Sequence, residues 1–476
     1  MYGLGSIAQS ASGLILLPLL TTALSLEGFG AYSLILLASS IASAIFYFGV
    51  TSALPRSYYD YKNADDRRTV FTTGFFLLSV GAVLQSMIAI LFSDSLSTLL
   101  TGTPAYSTSI SCAFIGAALS FINYYFISFL RLIKKAWQSV AFGIILMVLT
   151  IFLTVYLLSK NSGGVIEPFK AIIYAQLLIG LIFFIVYGRT CFIFRVSVDE
   201  IGHLLKFGLP IVLASFGSLL LESMDRFIVQ RYLGLTEVGE FSAAIKIGSL
   251  LNVILITPFC LVWMPLIMEH RENPKINYFF TKILSIYLII GGILIIFSAL
   301  FSDNIFKLLL NSNSNSEMLP IFFLLILGQL IFSTVNFFSA GFYFARQVKI
   351  LPFIYIGAAL IKIPISLYLT YKFGLMGAAF SGLVFCIAIP FSVYILARKL
   401  FFFEIEWWRI LRLSFAIIPS ALYVFIYENQ NSLTISFKII LFLLNLLAVI
   451  KFCFSSYEKK ILYNYLKKGI QFTCLK

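Results

Sequence analysis

The stretch WQSVAFGIILMVLTIFLTVYLL, residues 137–158, carries no charged side chain and shows what decides this fold. A helix of about 20 apolar residues spans the hydrocarbon core of a bilayer. Because no water is available there for exposed backbone groups, the segment must be helical. Similar stretches recur about fourteen times between short polar breaks, and 60% of all residues are hydrophobic. The sequence therefore predicts an all-α integral membrane protein.

The apolar stretches predict about fourteen transmembrane helices. We expect them at residues 3–24, 29–54, 71–92, 107–130, 137–158, 167–187, 206–232, 239–268, 277–301, 318–344, 350–370, 375–396, 411–427 and 434–454. A count of twelve is the alternative if the last two stretches lie at the membrane interface instead of crossing. Their lengths favour crossing.

The basic residues predict the orientation of the helices. Of the Lys and Arg residues in the breaks and the C-terminal tail, 25 fall in one alternating set and 5 in the other. Cytoplasmic loops carry the Lys/Arg excess, which predicts both termini in the cytoplasm, Arg67 inside and Asn313 outside. The net charge of +14 then matches contact with anionic lipid headgroups, and we expect no nucleic-acid partner.

Several chemistries lack their sequence signals. There is no GxxxxGK[ST] phosphate loop, so we expect no ATP hydrolysis. The six cysteines stand singly and form no CxxC pair, so neither a metal site nor a disulfide framework is predicted. We therefore expect no metal, no cofactor, no catalytic residues and no enzymatic activity.

An internal repeat organises the chain. LSLEGFGAYS at residues 24–33 resembles LGLTEVGEFS at 233–242, with four identities that include Gly30/Gly239 and Ser33/Ser242. Six spans separate the two copies, so both have the same orientation. This pattern is typical of transporters built from two parallel lobes around a cavity. We expect an N-lobe (1–200, spans one to six), a C-lobe (201–400, spans seven to twelve), and two further helices with a basic cytoplasmic tail (401–476).

Several motifs resemble those of a known family. YGLGSI (2–7), LLPLL (16–20), GFGAYS (28–33) and SALPR (52–56) are similar to the opening of polysaccharide flippases of the multidrug/oligosaccharidyl-lipid/polysaccharide exporter superfamily. DRFIV (225–229) and WMP (263–265) resemble the start of their second lobe, and GLMGAA (374–379) the turn into their twelfth span. The resemblance implies a MATE-like fold of two six-helix lobes.

Charged residues inside the spans are the candidate site, because a charge near the bilayer centre costs a few kcal/mol. Glu222, Asp225 and Arg226 share one helical face in the seventh span. Asp225 and Lys246 lie at similar distances from the turn that joins their spans, which predicts that they face each other as an ion pair or as parts of a binding site.

The remaining candidates complete a predicted cavity. Arg226, Lys246 and Lys362 would form a cationic wall suited to a diphosphate or an acidic sugar. Structural ion pairing and snorkelling of the lysine stem are the alternative interpretations. In the first lobe, which has no charge deep in a span, Asn123 and Tyr124 are the candidates, with Tyr124 able to stack on sugar rings.

The resemblance implies a function. It predicts a flippase of the bacterial inner membrane that moves a polyprenyl-diphosphate-linked oligosaccharide to the outer leaflet for O-antigen or capsule synthesis. Membrane lipids, a polysaccharide polymerase and chain-length proteins are the implied partners, and the coupling ion, H⁺ or Na⁺, is left open. The alternatives are a cation-coupled multidrug exporter, a membrane polymerase or ligase, and a channel or scaffold. The short outer breaks count against an enzyme.

Overall fold

The computed structural model describes residues 2–160, 164–193, 195–270, 273–310, 317–345, 347, 349–426 and 435–454. All of the regular structure in these ranges is helical. The α-helices are α1 (Tyr2–Ala23), α2 (Ser25–Phe46), α3 (Val50–Asp60), α4 (Ala64–Leu91), α5 (Ser93–Thr101), α6 (Ser107–Leu132), α7 (Ala136–Lys160), α8 (Ile166–Cys191), α9 (Val198–Tyr232), α10 (Leu235–Gly248), α11 (Thr257–Glu269), α12 (Ile276–Leu300), α13 (Ser302–Leu310), α14 (Met318–Ser333), α15 (Val335–Phe338), α16 (Ala340–Phe344), α17 (Ile350–Ala397), α18 (Trp407–Ile426) and α19 (Ile435–Cys453).

The helices confirm the predicted fold class. Twelve stretches of the described chain are long and apolar enough to cross a membrane. One of them, α17, contains two predicted spans, because Gly374 adopts a left-handed φ of 60° and breaks the helix there. The first predicted span, 3–24, corresponds to the whole of α1, Tyr2–Ala23. The protein is thus a multi-pass membrane protein of about fourteen spans. Position 313 lies outside the described residues.

The repeat extends well beyond the ten residues that reveal it in the sequence. α1, α4 and α5 end at Ala23, Leu91 and Thr101. Their counterparts α9, α12 and α13 end 209 residues later, which is the separation of Ser33 and Ser242. Both halves therefore contain the same succession of two long spans, a third span and a short amphipathic helix. This succession agrees with two lobes of common architecture.

Helix breaks interrupt the second span of each half. Phe48 and Gly49 have φ values of 54° and 69°, and they separate α2 from α3. In the second half, a π-helical turn, Asn252–Ile256, joins α10 to α11 and is followed by Pro258. Proline and π-helical turns are recognised causes of helix kinks. Both spans thus break beyond their last residues that line the cavity described below, Ile41 and Lys246.

Polar contacts tie the two C-terminal helices to the bundle. Glu406, just before α18, accepts hydrogen bonds from Lys282 Nζ at 2.7 Å and Ser285 Oγ at 2.6 Å. Burial tends to raise the pKa of Glu406, but these bonds and the charge of Arg409 lower it overall. Lys438 in α19 donates to Asp303 and, at 2.8 Å, to Asn304 Oδ1. The start of α18 is therefore attached to α12, and the start of α19 is attached to α13.

Candidate functional site

A cavity of about 320 Å³ lies between α1, α2, α9 and α10, the first two helices of each half. Most of its wall is apolar, as expected for side chains of spanning helices. The residues that the repeat relates to one another meet here, because α2 packs directly on α10. Its polar and charged lining consists of Tyr32, Ser33, Ser40, Glu222, Ser223, Arg226, Ser242 and Lys246.

The charges of the cavity come from one half only. Arg226 and Lys246 are the two cations of the lining, and Glu222 is its carboxylate. At the spacing of the repeat, their first-half counterparts are Leu17, Leu37 and Gly13. A hydrophobic wall therefore faces a charged wall with two cations and one anion, which suits an amphipathic anion.

The Arg226 guanidinium has hydrogen-bonding capacity to spare. Its Nη1 donates to Ser33 Oγ across a long 3.4 Å, and its buried Nε has no partner among the described residues. Ser33 Oγ in turn lies 2.8 Å from Ser242 Oγ, its counterpart in the repeat. An unpaired buried donor is unfavourable. A phosphate oxygen is the acceptor that a guanidinium prefers and would satisfy it.

The Lys246 side chain extends from α10 across the cavity to α1. Its Nζ is so close to Gly13 of α1 that a Cβ added to Gly13 would stand 2.1 Å from it. Lys246 is half-buried, and its ammonium makes no hydrogen bond or salt bridge within the described ranges. Lys246 thus adds a second cation to the cavity that Arg226 lines.

The predicted pairing of Asp225 with Lys246 is wrong. Asp225 Oδ2 accepts from Lys362 Nζ at 2.7 Å, and that ammonium also donates to the Leu221 carbonyl at 2.7 Å. The other carboxylate oxygen accepts from Ser366 at 2.8 Å and Ser381 at 3.3 Å. Equal depth in the membrane does not fix the direction of a side chain around its helix, and Asp225 faces α17 instead of α10.

Lys362 is consequently absent from the cationic wall that the sequence predicts. It is 5% exposed and belongs to a buried network that joins α9 to both arms of α17. The two arms of α17 are the parts before and after the break at Gly374. Ser366 lies in the first arm and Ser381 in the second, so the Asp225 carboxylate holds the two arms together. The structure also forms no salt bridge between Glu222 and Arg226 in the part of the chain that it describes.

The first-half candidates lie away from the cavity. Asn123 Nδ2 donates to the backbone and side-chain oxygens of Gln176, both at 2.8 Å, and so joins α6 to α8. Tyr124 is half-exposed and is not among the described residues that line the cavity. Ser33 and Ser242, whose identity in the repeat was visible in the sequence, are among the polar residues of the cavity that the sequence argument missed.

Close helix contacts confine the cavity at both ends. We call the end of the cavity on the predicted extracytoplasmic side the outer end, and the opposite end the inner end. At the outer end, α2 and α10 touch through Gly30 and Gly239. At the inner end, Gly49 and Gly208 leave no room for a side chain, since a Cβ on Gly49 would stand 2.3 Å from the Gly208 carbonyl. Tyr61 there donates a hydrogen bond to Glu200. That bond and burial raise the pKa of Tyr61 to about 12, so its hydroxyl remains protonated at neutral pH.

The arrangement of two related helix sets around a membrane-enclosed cavity is that of a secondary transporter. A family model described as "Polysaccharide biosynthesis protein" matches residues 1–271, more than half of the sequence. The chain belongs to this family, which confirms the resemblance inferred from the sequence motifs. No curated protein sequence matches the chain at a significant level.

Solved structures share the fold. The lipid II flippase MurJ in an inward closed conformation matches with a TM-score of 0.76 at 17% identity, over 98% of this chain and 99% of that one. An inward-facing multidrug resistance MATE transporter of the MOP superfamily gives 0.68 at 16%, over 83% and 94%. A MOP superfamily transporter from Pyrococcus furiosus gives 0.55 at 13%, over 87% and 95%. These matches establish a MATE-like fold.

Proposed function

We propose that the protein is a flippase that moves a polyprenyl-diphosphate-linked oligosaccharide across the bacterial inner membrane for O-antigen or capsule synthesis. The observation that carries this proposal is the Arg226 guanidinium, whose buried Nε has no partner among the described residues and which lines the cavity together with Lys246. A diphosphate supplies the oxygen acceptors and the negative charge that these two cations lack. Membership of the polysaccharide biosynthesis family supports a glycan substrate.

The proposed mechanism is alternating access between an N-lobe (1–200) and a C-lobe (201–400). With both ends confined by glycine contacts, a cavity of about 320 Å³ cannot hold a whole lipid-linked oligosaccharide. The lobes would therefore separate first at the inner end and then at the outer end. The diphosphate would lie against Arg226 and Lys246, and the polyprenyl chain would stay in the bilayer. No covalent chemistry is needed.

The first prediction tests the anion site. Arg226→Gln should lower surface glycan by about tenfold or more in a strain that lacks the native gene. The reason is that a hydrogen bond from a charged group contributes about 1.5–3 kcal/mol. Lys246→Gln should show a similar loss. The measurement is surface glycan relative to the membrane abundance of each variant.

Arg231→Gln is the matched control. Arg231 lies in the same helix, is exposed, and does not line the cavity, so glycan should stay at the wild-type level. Normal glycan from Arg226→Gln and Lys246→Gln would refute a phosphate role for the cavity. If those variants instead lost resistance to a cationic drug, the multidrug-exporter alternative would replace the flippase.

The second prediction concerns topology and the cytoplasmic termini. In a background without native cysteines, Lys62→Cys should react with a membrane-impermeant thiol reagent only after permeabilisation. Leu308→Cys on α13, whose side chain is 76% exposed, should react in intact cells. The physical reason is the Lys/Arg excess on the Lys62 side. The reverse labelling pattern would invert the orientation and the direction of transport.

A further inference from the structure

A second pocket, of about 250 Å³, lies at the inner end of the first half, away from the cavity. The ends of α3, α4, α6 and α8 form it, together with the α3–α4 and α6–α7 connections. Four of its lining residues are cations, and none of its described lining residues is a carboxylate. We call it the basic pocket and define it by Tyr58, Lys62, Arg67, Arg68, Lys135 and Tyr187.

Arg67 is held in place before any ligand arrives. Its Nε donates to the Tyr61 carbonyl at 2.8 Å, and its guanidinium lies 5.2 Å from the centre of the Tyr58 ring. Using Nε in this way leaves the two Nη groups as the donors available to a ligand. A guanidinium fixed by a hydrogen bond and an aromatic face loses little side-chain freedom when it binds an anion.

Lys135 faces Arg67 from a different part of the chain. Lys134, just before it, has a left-handed φ of 62°, which is uncommon for a residue other than glycine. This turn brings Lys135 Nζ to 4.8 Å from the Tyr187 ring centre. Arg68 is paired with Asp65 across 3.4 Å, but both side chains are largely exposed. Such a surface pair contributes little, so Arg68 can turn to a stronger anion.

The floor of the basic pocket is apolar. Phe129 and Ile133 of the α6 end line it, and Phe129, Tyr187 and Cys191 are buried. Cations therefore line the mouth of the pocket, and apolar side chains form its floor. A ligand that matches both parts has an anionic head and an apolar chain. Basic clusters at this level attract anionic lipids.

We propose that the basic pocket binds the anionic, phosphate-bearing headgroup of a membrane lipid. The site is separate from the cavity, since Tyr58 stands seventeen residues beyond Ile41, the last cavity residue of the same broken span. The two spaces share no lining residue. Two sources carry the required chemistry: an anionic phospholipid of the surrounding leaflet, and a polyprenyl diphosphate.

The test is lipid retention by the purified full-length protein. It is reconstituted in phosphatidylcholine nanodiscs that contain a minor fraction of phosphatidylglycerol or of a polyprenyl diphosphate, and retained lipid is read by native mass spectrometry. The double variant Arg67→Gln/Lys135→Gln should retain at least tenfold less phosphatidylglycerol than the wild type. For the polyprenyl diphosphate, which the cavity is also proposed to bind, the same comparison is made in an Arg226→Gln/Lys246→Gln background. Because Arg67 also holds the Tyr61 carbonyl, Lys62→Gln/Arg68→Gln provides a second variant whose changes are confined to exposed or weakly paired groups.

Arg398→Gln/Lys399→Gln is the control, because it removes two exposed cations of the same predicted face outside the basic pocket. It should retain the lipid. Retention of phosphatidylglycerol identifies a phospholipid of the leaflet, and retention of the polyprenyl diphosphate alone identifies the substrate's lipid; either supports the proposal. Equal retention by wild type and both double variants overturns it. So does binding of inorganic pyrophosphate as tight as that of the lipid, since the site would then be one for soluble anions.

Lipid retention by the basic pocket should not depend on the anion site in the cavity. Arg226→Gln should keep wild-type retention of phosphatidylglycerol, even if surface glycan is lost. Loss of glycan in that variant with intact retention would therefore bear on the flippase cycle alone, whereas loss of retention in the basic-pocket variants would bear on the headgroup site.

Discussion

Lys362→Met should destabilise the protein by about 3–5 kcal/mol, the effect of leaving a buried charge without its partner. The Lys362 and Asp225 side chains are 6% and 10% exposed, and the 2.7 Å bond between them is supplemented by two serine hydroxyls. Without the ammonium, the Asp225 carboxylate retains only those hydroxyls. The measurement is thermal unfolding of the purified variant in detergent, beside its membrane abundance.

A second salt bridge provides the matched control. Lys282 and Glu406 also pair at 2.7 Å, but their side chains are 27% and 25% exposed. Lys282→Met should cost less than about 1 kcal/mol, since solvent screens partly exposed pairs. Equal costs for the two lysines would show that burial does not govern the Asp225 network.

The double variant separates stability from transport. Asp225→Asn with Lys362→Met removes both charges, and replacing a buried ion pair by neutral groups is often nearly neutral in stability. We expect a folded protein. Wild-type glycan from this variant would show that the role of the pair is structural, to hold α9 against the two arms of α17. A folded but inactive variant would show that the charges take part in the transport cycle, for instance by exchange of a proton or cation.

The spans were predictable because the bilayer imposes one rule on every helix. A run such as 137–158 must be helical and must cross wherever it occurs, so the described spans agree with the predicted ones within a few residues at most boundaries. The repeat was visible as ten residues but extends through α13. Sequence identity is needed only where the two copies touch, as at Ser33 and Ser242, and the other helices of the repeat can diverge.

The partner of Asp225 was harder to predict. Depth in the membrane can be counted from a turn, whereas the direction of a side chain depends on how neighbouring helices rotate. Lys362 is 137 residues away in sequence and lies on a helix with no visible relation to α9. One signal was available: Lys362 and Ser366 are four residues apart and share a face, and Ser381 follows in the next span. Such a polar stripe in apolar helices needs a buried polar partner.

The second large effect concerns the glycines at the outer end. Gly30→Ala would place a methyl group 2.0 Å from the Leu235 carbonyl oxygen, and Gly239→Ala would place one 2.0 Å from that of Leu26. Backbone atoms cannot move aside without separating α2 from α10. We therefore expect both variants to lose the closed outer end, and with it surface glycan, because a transporter that cannot close one end cannot alternate.

A cross-link reports this closure directly. Ser33 Oγ and Ser242 Oγ are 2.8 Å apart, so Ser33→Cys with Ser242→Cys, in a background without native cysteines, should form a disulfide on mild oxidation. Adding Gly30→Ala or Gly239→Ala should reduce the cross-linked fraction at least tenfold. Gly357→Ala is the control, since an added Cβ there has no neighbour within 4 Å. Each glycine packs against the backbone around the other, so either variant tests the same contact, provided that it accumulates in the membrane. Wild-type cross-linking and wild-type glycan in that variant would show that the transport cycle does not require this contact.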